Sequence, residues 1–281
     1  MLSLNFHGTF IPERHYIADF LDYVAEGREG SLLEMAEGTG IPMGKSSGKL
    51  KAIQSYCVGM NLIVMKRGSK RGAKRLAFTP LGQVMFEQDK LLSSQFTQWL
   101  VHINLCRSDI GAIAWNKVFA EGARILGYRF SRDQLEDYLI FHFGKAKKSR
   151  IGPLLSTYTN DAGLARSRVL NVDGKMITRN KAPITKDSAI GYSAIIVELM
   201  EEYFPNQFQV TITDFASETR LFDICMWSQP DVEVLLNAIE SEGYIVVDRQ
   251  IRPWIIEKRV SSDQIWPNVL RPYGVILEEV R

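Results

Sequence analysis

The sequence predicts a mainly α-helical protein with small β-hairpins, in which two winged-helix-like units flank a helical middle domain. Three observations predict this fold. Apolar residues recur at helical spacing along most of the 281 residues, a strand–turn–strand pattern follows a helix near each end, and the middle third lacks that pattern. We expect an N-terminal winged helix-turn-helix over 1–90, a helical middle domain with a basic loop over 91–186, and a C-terminal winged-helix-like domain over 187–281.

The N-terminal unit begins with helices whose apolar residues return every three or four positions. Pro12 stands near the start of the first helix, and Ser31 with Glu34 forms a capping box that opens the second. Residues 38–44 are the turn before a third helix. The apolar faces of the first and third helices are Ile17, Phe20, Leu21 and Val24, and Leu50, Ile53, Tyr56, Cys57 and Met60.

A basic hairpin closes this unit. A short strand at 62–65 leads into residues 66–75, which contain six Lys or Arg, and a second strand follows at 76–78. Thr79 and Pro80 then open the next helix with a capping hydroxyl and a proline in the first turn. A helix followed by a basic hairpin is typical of winged-helix DNA binding, in which the helix enters the major groove and the loop lies along phosphates.

The predicted DNA contacts come from the start of the third helix and from the hairpin. Like charges on one hairpin repel one another unless a polyanion is nearby. The charge pattern therefore favours a hairpin that binds a polyanion over a solvated loop without a ligand. The candidate DNA-binding residues are Lys45, Ser46, Ser47, Lys49, Lys51, Lys66, Arg67, Lys70, Arg71, Lys74 and Arg75.

The same segment contains Gly44-Lys45-Ser46, which looks like the end of a nucleotide-binding P-loop. That motif requires a glycine at the position of Thr39, and it follows an apolar strand. Neither condition is met, so the sequence argues against ATP binding here.

The other two units follow from the same kind of pattern. In the middle, Ser131 and Gln134 form another capping box, and a basic segment with Lys145, Lys147, Lys148 and Arg150 precedes a polar loop that runs to about Lys186. In the last unit, a helix that begins near Pro230 leads to a hairpin at 244–256. That hairpin carries only Arg249 and Arg252 beside Asp248, so DNA contact and protein contact are equally open for it.

Composition excludes several classes of protein. The net charge is only +2, so the basic character is local. Cys57, Cys106 and Cys225 lie far apart without a Cys-x-x-Cys pair, which favours free thiols in a reducing compartment over disulfides or structural zinc. We find no signal-peptide pattern and no apolar run long enough for a membrane helix, and we therefore expect a cytoplasmic protein without a membrane partner.

Two motifs resemble a known family. The start Phe6-His7-Gly8-Thr9-Phe10 with Arg14, and the Gly-Ile-Pro-x-Gly-Lys-Ser-Ser-Gly-Lys stretch at 40–49, are similar to an uncharacterised-domain family with a His-x-Thr-Phe start, the SspB-like family of bacterial DNA phosphorothioation and phage-defence systems. Relative to that family, Gly8 replaces an acidic residue and Arg14 stands one position later.

The resemblance implies a DNA-binding component of such a system that also nicks DNA. It implies double-stranded DNA as a partner, together with an ATPase, a reductase-like sulfur-transfer enzyme and a cysteine desulfurase. Nicking needs a divalent metal such as magnesium or manganese, or a nucleophilic side chain. No cofactor follows from the residues themselves.

The candidate catalytic residues are in the opening motif. His7 could act as acid or base, Glu13 as a metal ligand and Arg14 as a phosphate clamp. The structural interpretation of the same residues is that Thr9 caps the helix, Glu13 pairs with Arg14, and His7 bonds to backbone. Two further functions remain open: a winged-helix transcriptional regulator, and a non-catalytic subunit that bridges the partners of the modification complex.

Overall fold

The described part of the chain contains three small antiparallel sheets, one in each successive third. The computed structural model describes residues 1–43, 48–69, 72–144 and 152–270. Within them, each sheet has three strands in the same arrangement, with the last strand in the middle: β1-β3-β2, β4-β6-β5 and β7-β9-β8. The prediction of a mainly helical fold with small hairpins is confirmed.

The first sheet belongs to the N-terminal unit. Its elements are α1 Arg14–Ala25, β1 Glu29–Gly30, α2 Leu32–Thr39, α3 Gly48–Gly59, β2 Ile63–Arg67 and β3 Lys74–Phe78. The capping box predicted at Ser31 and Glu34 is present. Helix α1 begins after Glu13, which makes no side-chain cap, and the exposed Thr9 lies four residues further from it. The capping role considered for Thr9 is therefore wrong.

The middle part contains a sheet that the sequence pattern did not predict. Its elements are α4 Pro80–Gln88, α5 Gln95–Cys106, α6 Ile113–Trp115, a π-helical turn Asn116–Glu121, α7 Ala123–Leu126, β4 Arg129–Ser131, α8 Arg132–Phe143, α9 Gly152–Thr159, β5 Leu170–Asp173 and β6 Met176–Arg179. The segment expected to be a polar loop thus contains an α-helix, a short 3-10 helix at Ala165–Ser167 and a hairpin. The hairpin turns at Gly174-Lys175, where Gly174 has a φ of +57°, as tight two-residue turns require.

The last part repeats the arrangement. Its elements are α10 Lys186–Tyr203, β7 Gln209–Thr211, α11 Ile212–Thr219, α12 Leu221–Ile224, α13 Gln229–Ser241, β8 Ile245–Asp248, β9 Ile255–Lys258 and α14 Ser262–Ile265. Helix α13 has Pro230 in its first turn, as predicted. Strand β9 runs between β7 and β8, so this hairpin is anchored to the strand before α11.

One hydrophobic core runs through all three parts. Every residue of α5 from Thr97 to Cys106 is buried, and the buried side chains of the three sheets join the same cluster. In the described residues, no helix is both long and apolar enough to cross a membrane.

A largely buried carboxylate, Glu198 on α10, joins the three parts. It accepts hydrogen bonds from Asn61 Nδ2 at 2.7 Å, from Trp266 Nε1 at 3.0 Å and from Arg107 Nη1. Desolvation raises the pKa of Glu198, and the Arg107 guanidinium opposes that rise. Arg107 is itself 3% exposed and also bonds Asp109. This network holds the end of α3, the end of α5 and the final helices together.

Candidate nucleic-acid interface

The hairpin of β2 and β3 presents basic side chains on both of its faces. Lys66 lies directly opposite Arg75, and Arg67 directly opposite Lys74. All four side chains are exposed, and within the described residues none of them forms an ion pair. Because successive residues of a strand point to opposite faces, the two pairs lie on opposite sides of the ribbon. Lys70 and Arg71, also candidates, lie outside the described residues.

This charge arrangement is unfavourable for the isolated hairpin. Like charges directly opposite each other on neighbouring strands destabilise a ribbon, by roughly 0.2–1 kcal/mol for each pair. On its other side Arg75 faces Glu29 of β1, an opposite charge, but within the ribbon of β2 and β3 both opposed pairs have the same sign. The basic hairpin therefore has a charge pattern that favours a polyanion as its ligand.

Two contacts hold the hairpin in shape. The Glu29 carboxylate on β1 accepts from the Ser69 backbone N–H at 2.8 Å and from its hydroxyl at 2.7 Å. The Gly68 backbone N–H donates to the Ala73 carbonyl at 3.0 Å, and a Cβ on Gly68 would lie 2.9 Å from the Ala73 backbone. The base of the loop is thus tied to the sheet.

Helix α3 exposes little of its surface. Seven of its residues are buried, and Lys51 is exposed near its start, followed one turn later by the half-exposed Ser55. A helix buried on most of its sides can offer DNA only its first turns. The candidates Lys45, Ser46 and Ser47 lie outside the described residues.

Lys49 is already engaged within the protein. Its Nζ donates to Glu13 Oε1 at 2.8 Å and lies 5.5 and 4.6 Å from the ring centres of Phe10 and Tyr16. Both charged side chains are only 21% exposed. The ion pair and the two aromatic rings fix the first turn of α3 against the chain segment before α1. The structure therefore gives Lys49 a definite positioning role at the edge of the expected interface.

His7 lies in an aromatic pocket. It is 1% exposed and packs edge-on against Phe6 and Trp115. Its Nδ1 lies 2.9 Å from the Gly8 carbonyl, so Nδ1 carries the proton and donates it, while the buried Nε2 has no partner among the described residues. Burial lowers the pKa of His7. The imidazole is therefore neutral at pH 7 and shielded from water.

Arg14 connects three separate segments. Its guanidinium donates to the Leu91 carbonyl at 3.1 Å and to the Asp161 carbonyl at 2.8 Å. Burial, followed by the nearby Arg166, lowers its pKa. Glu13 pairs with Lys49 rather than with Arg14, so the surface pair considered from sequence is wrong. In the described chain, no hydrogen bond or ion pair joins His7 to Glu13 or Arg14.

The C-terminal hairpin differs from the basic one. Arg249 donates to Glu240 Oε2 at 2.7 Å and to Asn237 Oδ1 at 2.9 Å, and both Arg249 and Arg252 lie over the Trp254 ring. These cations are paired or stacked, in contrast to those of the basic hairpin.

Comparison with known proteins identifies the fold. No protein-family model and no curated protein matches the chain. Among solved structures, a magnesium-ion-bound SspB crystal structure is similar, with a TM-score of 0.71, 12% identity, and coverage of 96% of this chain and 87% of that chain. A further SspB crystal structure gives a TM-score of 0.69 with the same identity and coverage. The chain has an SspB-like fold. At this identity the similarity concerns the fold alone.

The magnesium ion of one SspB structure raises the question of whether the opening motif suits such an ion. Magnesium takes oxygen ligands in near-octahedral geometry. The motif offers one carboxylate, Glu13, and Lys49 already neutralises it. Within the described ranges, no group of three His, Cys, Asp or Glu is placed to hold a metal. The opening residues do not fit a divalent metal.

Sequence reasoning missed two features of this interface. Glu29 was not recognised as the anchor of the basic loop, and Lys49 was not recognised as the partner of Glu13. Both contacts join residues at least 36 positions apart. The missed hairpin in the middle part had one local signal, Gly174 at the first position of its two-residue turn.

Proposed function

We propose that this protein is a DNA-binding component of a bacterial DNA phosphorothioation and phage-defence system, acting in the cytoplasm. The observation that carries DNA binding is the exposed pairing of like charges in the basic hairpin, Lys66 with Arg75 and Arg67 with Lys74. The SspB-like fold and the two sequence motifs at 6–14 and 40–49 support the choice of system.

In this proposal the N-terminal unit is a winged helix whose hairpin follows the phosphates. The first turns of α3 provide a second set of contacts, with Lys51 toward DNA and Lys49 holding the turn in place. Lys45, Ser46, Ser47, Lys70 and Arg71, which lie outside the described residues, are further candidates for DNA contact. The middle and C-terminal units repeat the strand arrangement, with proposed boundaries near 90 and 186. Their less basic hairpins are available for the partner proteins: the ATPase, the reductase-like sulfur-transfer enzyme and the cysteine desulfurase.

Charge reversal on the hairpin tests DNA binding. Lys66→Glu with Arg67→Glu should weaken binding of a fluorescent duplex by more than about tenfold, because one of the two side chains faces the phosphates whichever face of the ribbon binds, and its attraction becomes a repulsion. The matched control is Arg132→Glu with Lys175→Glu, which makes the same charge change at exposed positions of the middle unit. Equal affinity of the hairpin variant and this control would refute the proposal.

Strand nicking is the second candidate function, and the magnesium ion in one SspB structure is the observation that favours it. The candidate residues from the sequence are His7, Glu13 and Arg14. Because these residues do not fit a divalent metal, nicking by them would be independent of metal, and metal-dependent nicking would place the site elsewhere. Conversion of supercoiled plasmid to the relaxed form, with and without magnesium or manganese, tests it. A wild-type protein that binds DNA without relaxing plasmid would favour a bridging subunit or a transcriptional regulator.

A further inference from the structure

A cleft in the C-terminal part has the size and lining of a ligand site. It lies where α11, the start of α13 and the turn between β8 and β9 face one another, and its volume is about 850 Å³. That volume is in the range of sites for small molecules, which are roughly 300–1,000 Å³. Phe222, Trp227 and Trp254 supply aromatic surface, and the rest of the lining is largely polar.

Three guanidinium groups surround the cleft with weak internal partners. Arg124 Nε lies 3.5 Å and Arg220 Nη1 3.4 Å from the same carboxylate, Asp223, and Arg252 Nη2 lies 4.0 Å from Glu233. Charge-assisted hydrogen bonds between such groups are normally about 2.7–2.9 Å long. Most of the donors on these arginines therefore remain available to an anion, and one carboxylate is shared between two cations.

A fourth arginine adds charge from behind the cleft. Arg179 is 4% exposed and donates to the Asp223 backbone carbonyl at 3.1 Å. Its Nε and Nη1 have no hydrogen-bond partner among the described residues. Burial lowers its pKa to about 10, so it stays cationic at neutral pH. Around Asp223, two guanidinium groups face the carboxylate and a third donates to the backbone carbonyl, so cations outnumber the one carboxylate that they surround.

The aromatic and cationic groups are adjacent. Arg252 lies 5.2 Å from the centre of the Trp254 ring, and both line the cleft together with Arg124 of α7. Planar guanidinium groups match the geometry of phosphate oxygens, and aromatic rings stack on nucleobases. A duplex is too wide to enter a cleft of this volume.

We propose that this cleft binds a nucleotide, with the phosphate between Arg124 and Arg220 and the base against the aromatic side that includes Trp254. The nucleotide is either free or part of a single strand, since both have the same base and phosphate. This site is separate from the basic hairpin, and it goes beyond the DNA binding proposed above.

Calorimetric titration of the full chain tests the site. The ligands are AMP, inorganic phosphate, a short oligothymidylate and a glutamate-rich peptide. The oligothymidylate is titrated into protein that carries Lys66→Ala, Arg67→Ala, Lys74→Ala and Arg75→Ala, so that the basic hairpin does not contribute. Saturable AMP binding identifies free nucleotide as the source, and binding of the oligothymidylate alone identifies a strand; both support the proposal.

The variants separate the site from general charge effects. Arg124→Glu should raise Kd by about tenfold or more, since it replaces a charged hydrogen bond by a repulsion. The control Arg132→Glu, with the same charge change at an exposed position outside the cleft, should change Kd less than about twofold. Trp254→Leu should weaken nucleotide binding and leave inorganic phosphate unaffected.

Three outcomes would overturn the proposal. They are equal losses with Arg124→Glu and Arg132→Glu, binding of the peptide without binding of either nucleotide ligand, and no nucleotide binding at all. Because Arg124 is 80% exposed in its side chain, its replacement should leave the fold intact, and the melting temperature confirms that.

Discussion

The two faces of the basic hairpin can be tested separately, because the strand register assigns its four cations to opposite sides. Lys66 and Arg75 share one face, and Arg67 and Lys74 share the other. If DNA lies against one face, one double alanine variant should lose most of the electrostatic binding and the other little. If the ribbon enters the minor groove, both double variants should lose equally.

The expected magnitude follows from counterion release. Each phosphate neutralised contributes about 0.9 to the slope of log affinity against log salt, so the loss of two contacts should reduce the slope by about 1.8. When salt rises from about 50 to 200 mM, the variant should therefore lose affinity by a factor that is roughly twelve times smaller than the factor for the wild type. The variant of Arg67 and Lys74 should not melt earlier, because it removes a pair of opposed like charges. In the variant of Lys66 and Arg75 that gain is offset, because Arg75 also lies opposite Glu29 of β1.

Fluorescence anisotropy with a labelled duplex at four or more salt concentrations gives the slopes. The control is Arg132→Ala with Lys175→Ala, which removes two exposed cations from the middle unit. Unchanged slopes in both hairpin variants would refute the inference that this hairpin contacts phosphates. A slope change of the same size in the control would mean that the effect comes from total charge.

Three other expectations follow from particular contacts. Gly82→Ala should destabilise the fold by about 3 kcal/mol in urea unfolding, since a Cβ there would lie 1.7 Å from a backbone carbonyl oxygen; a stable variant would contradict this packing. Desolvation tends to raise the pKa of Asp89, but hydrogen bonds from Ser93, Thr97 and the Ser94 backbone outweigh it and lower that pKa. The stability that Asp89 contributes is thus present above the ordinary Asp pKa and is lost as pH falls through the lowered one. Asp89→Asn should cost about 1–2 kcal/mol at pH 7 and progressively less below about pH 4; a difference independent of pH would exclude this linkage. If the opening motif carries nicking, His7→Ala and Arg14→Ala should relax plasmid more slowly at unchanged DNA affinity. Glu13→Gln also weakens the ion pair with Lys49, so its nicking rate is compared with that of Lys49→Ala, which breaks the same pair. Wild-type rates in all three variants would assign the motif to structure alone.

Local sequence signals predicted the elements, while distant contacts decided how the site residues are used. The capping boxes at Ser31 and Ser131 depend on residues three positions apart, and both are present. Arg14, in contrast, bonds a carbonyl 147 positions away, which no periodicity can reveal. The Arg14 guanidinium, which looks like a phosphate clamp in the sequence, instead bonds backbone carbonyls of two distant segments in the fold.

The short strands of the middle part show the same limit. Strand β4 has three residues and β5 and β6 have four each, too few for alternation to stand out against helical spacing nearby. Their pairing depends on β4 and β6, which are separated by the whole of α8 and α9. The basic hairpin was easier to predict because its charges mark it without reference to a partner strand.

The shared carboxylate of Glu198 has a consequence for how the protein meets a long ligand. Asn61 after α3, Arg107 at the end of α5 and Trp266 after α14 all donate to the Glu198 carboxylate. If one of these parts unfolds, the carboxylate loses a donor while it stays shielded from water, which destabilises the other two parts. Heating should therefore melt the three parts in one cooperative transition. The same network links the parts that carry the three hairpins, so a long ligand that touches more than one of them meets a single unit and not three independent modules.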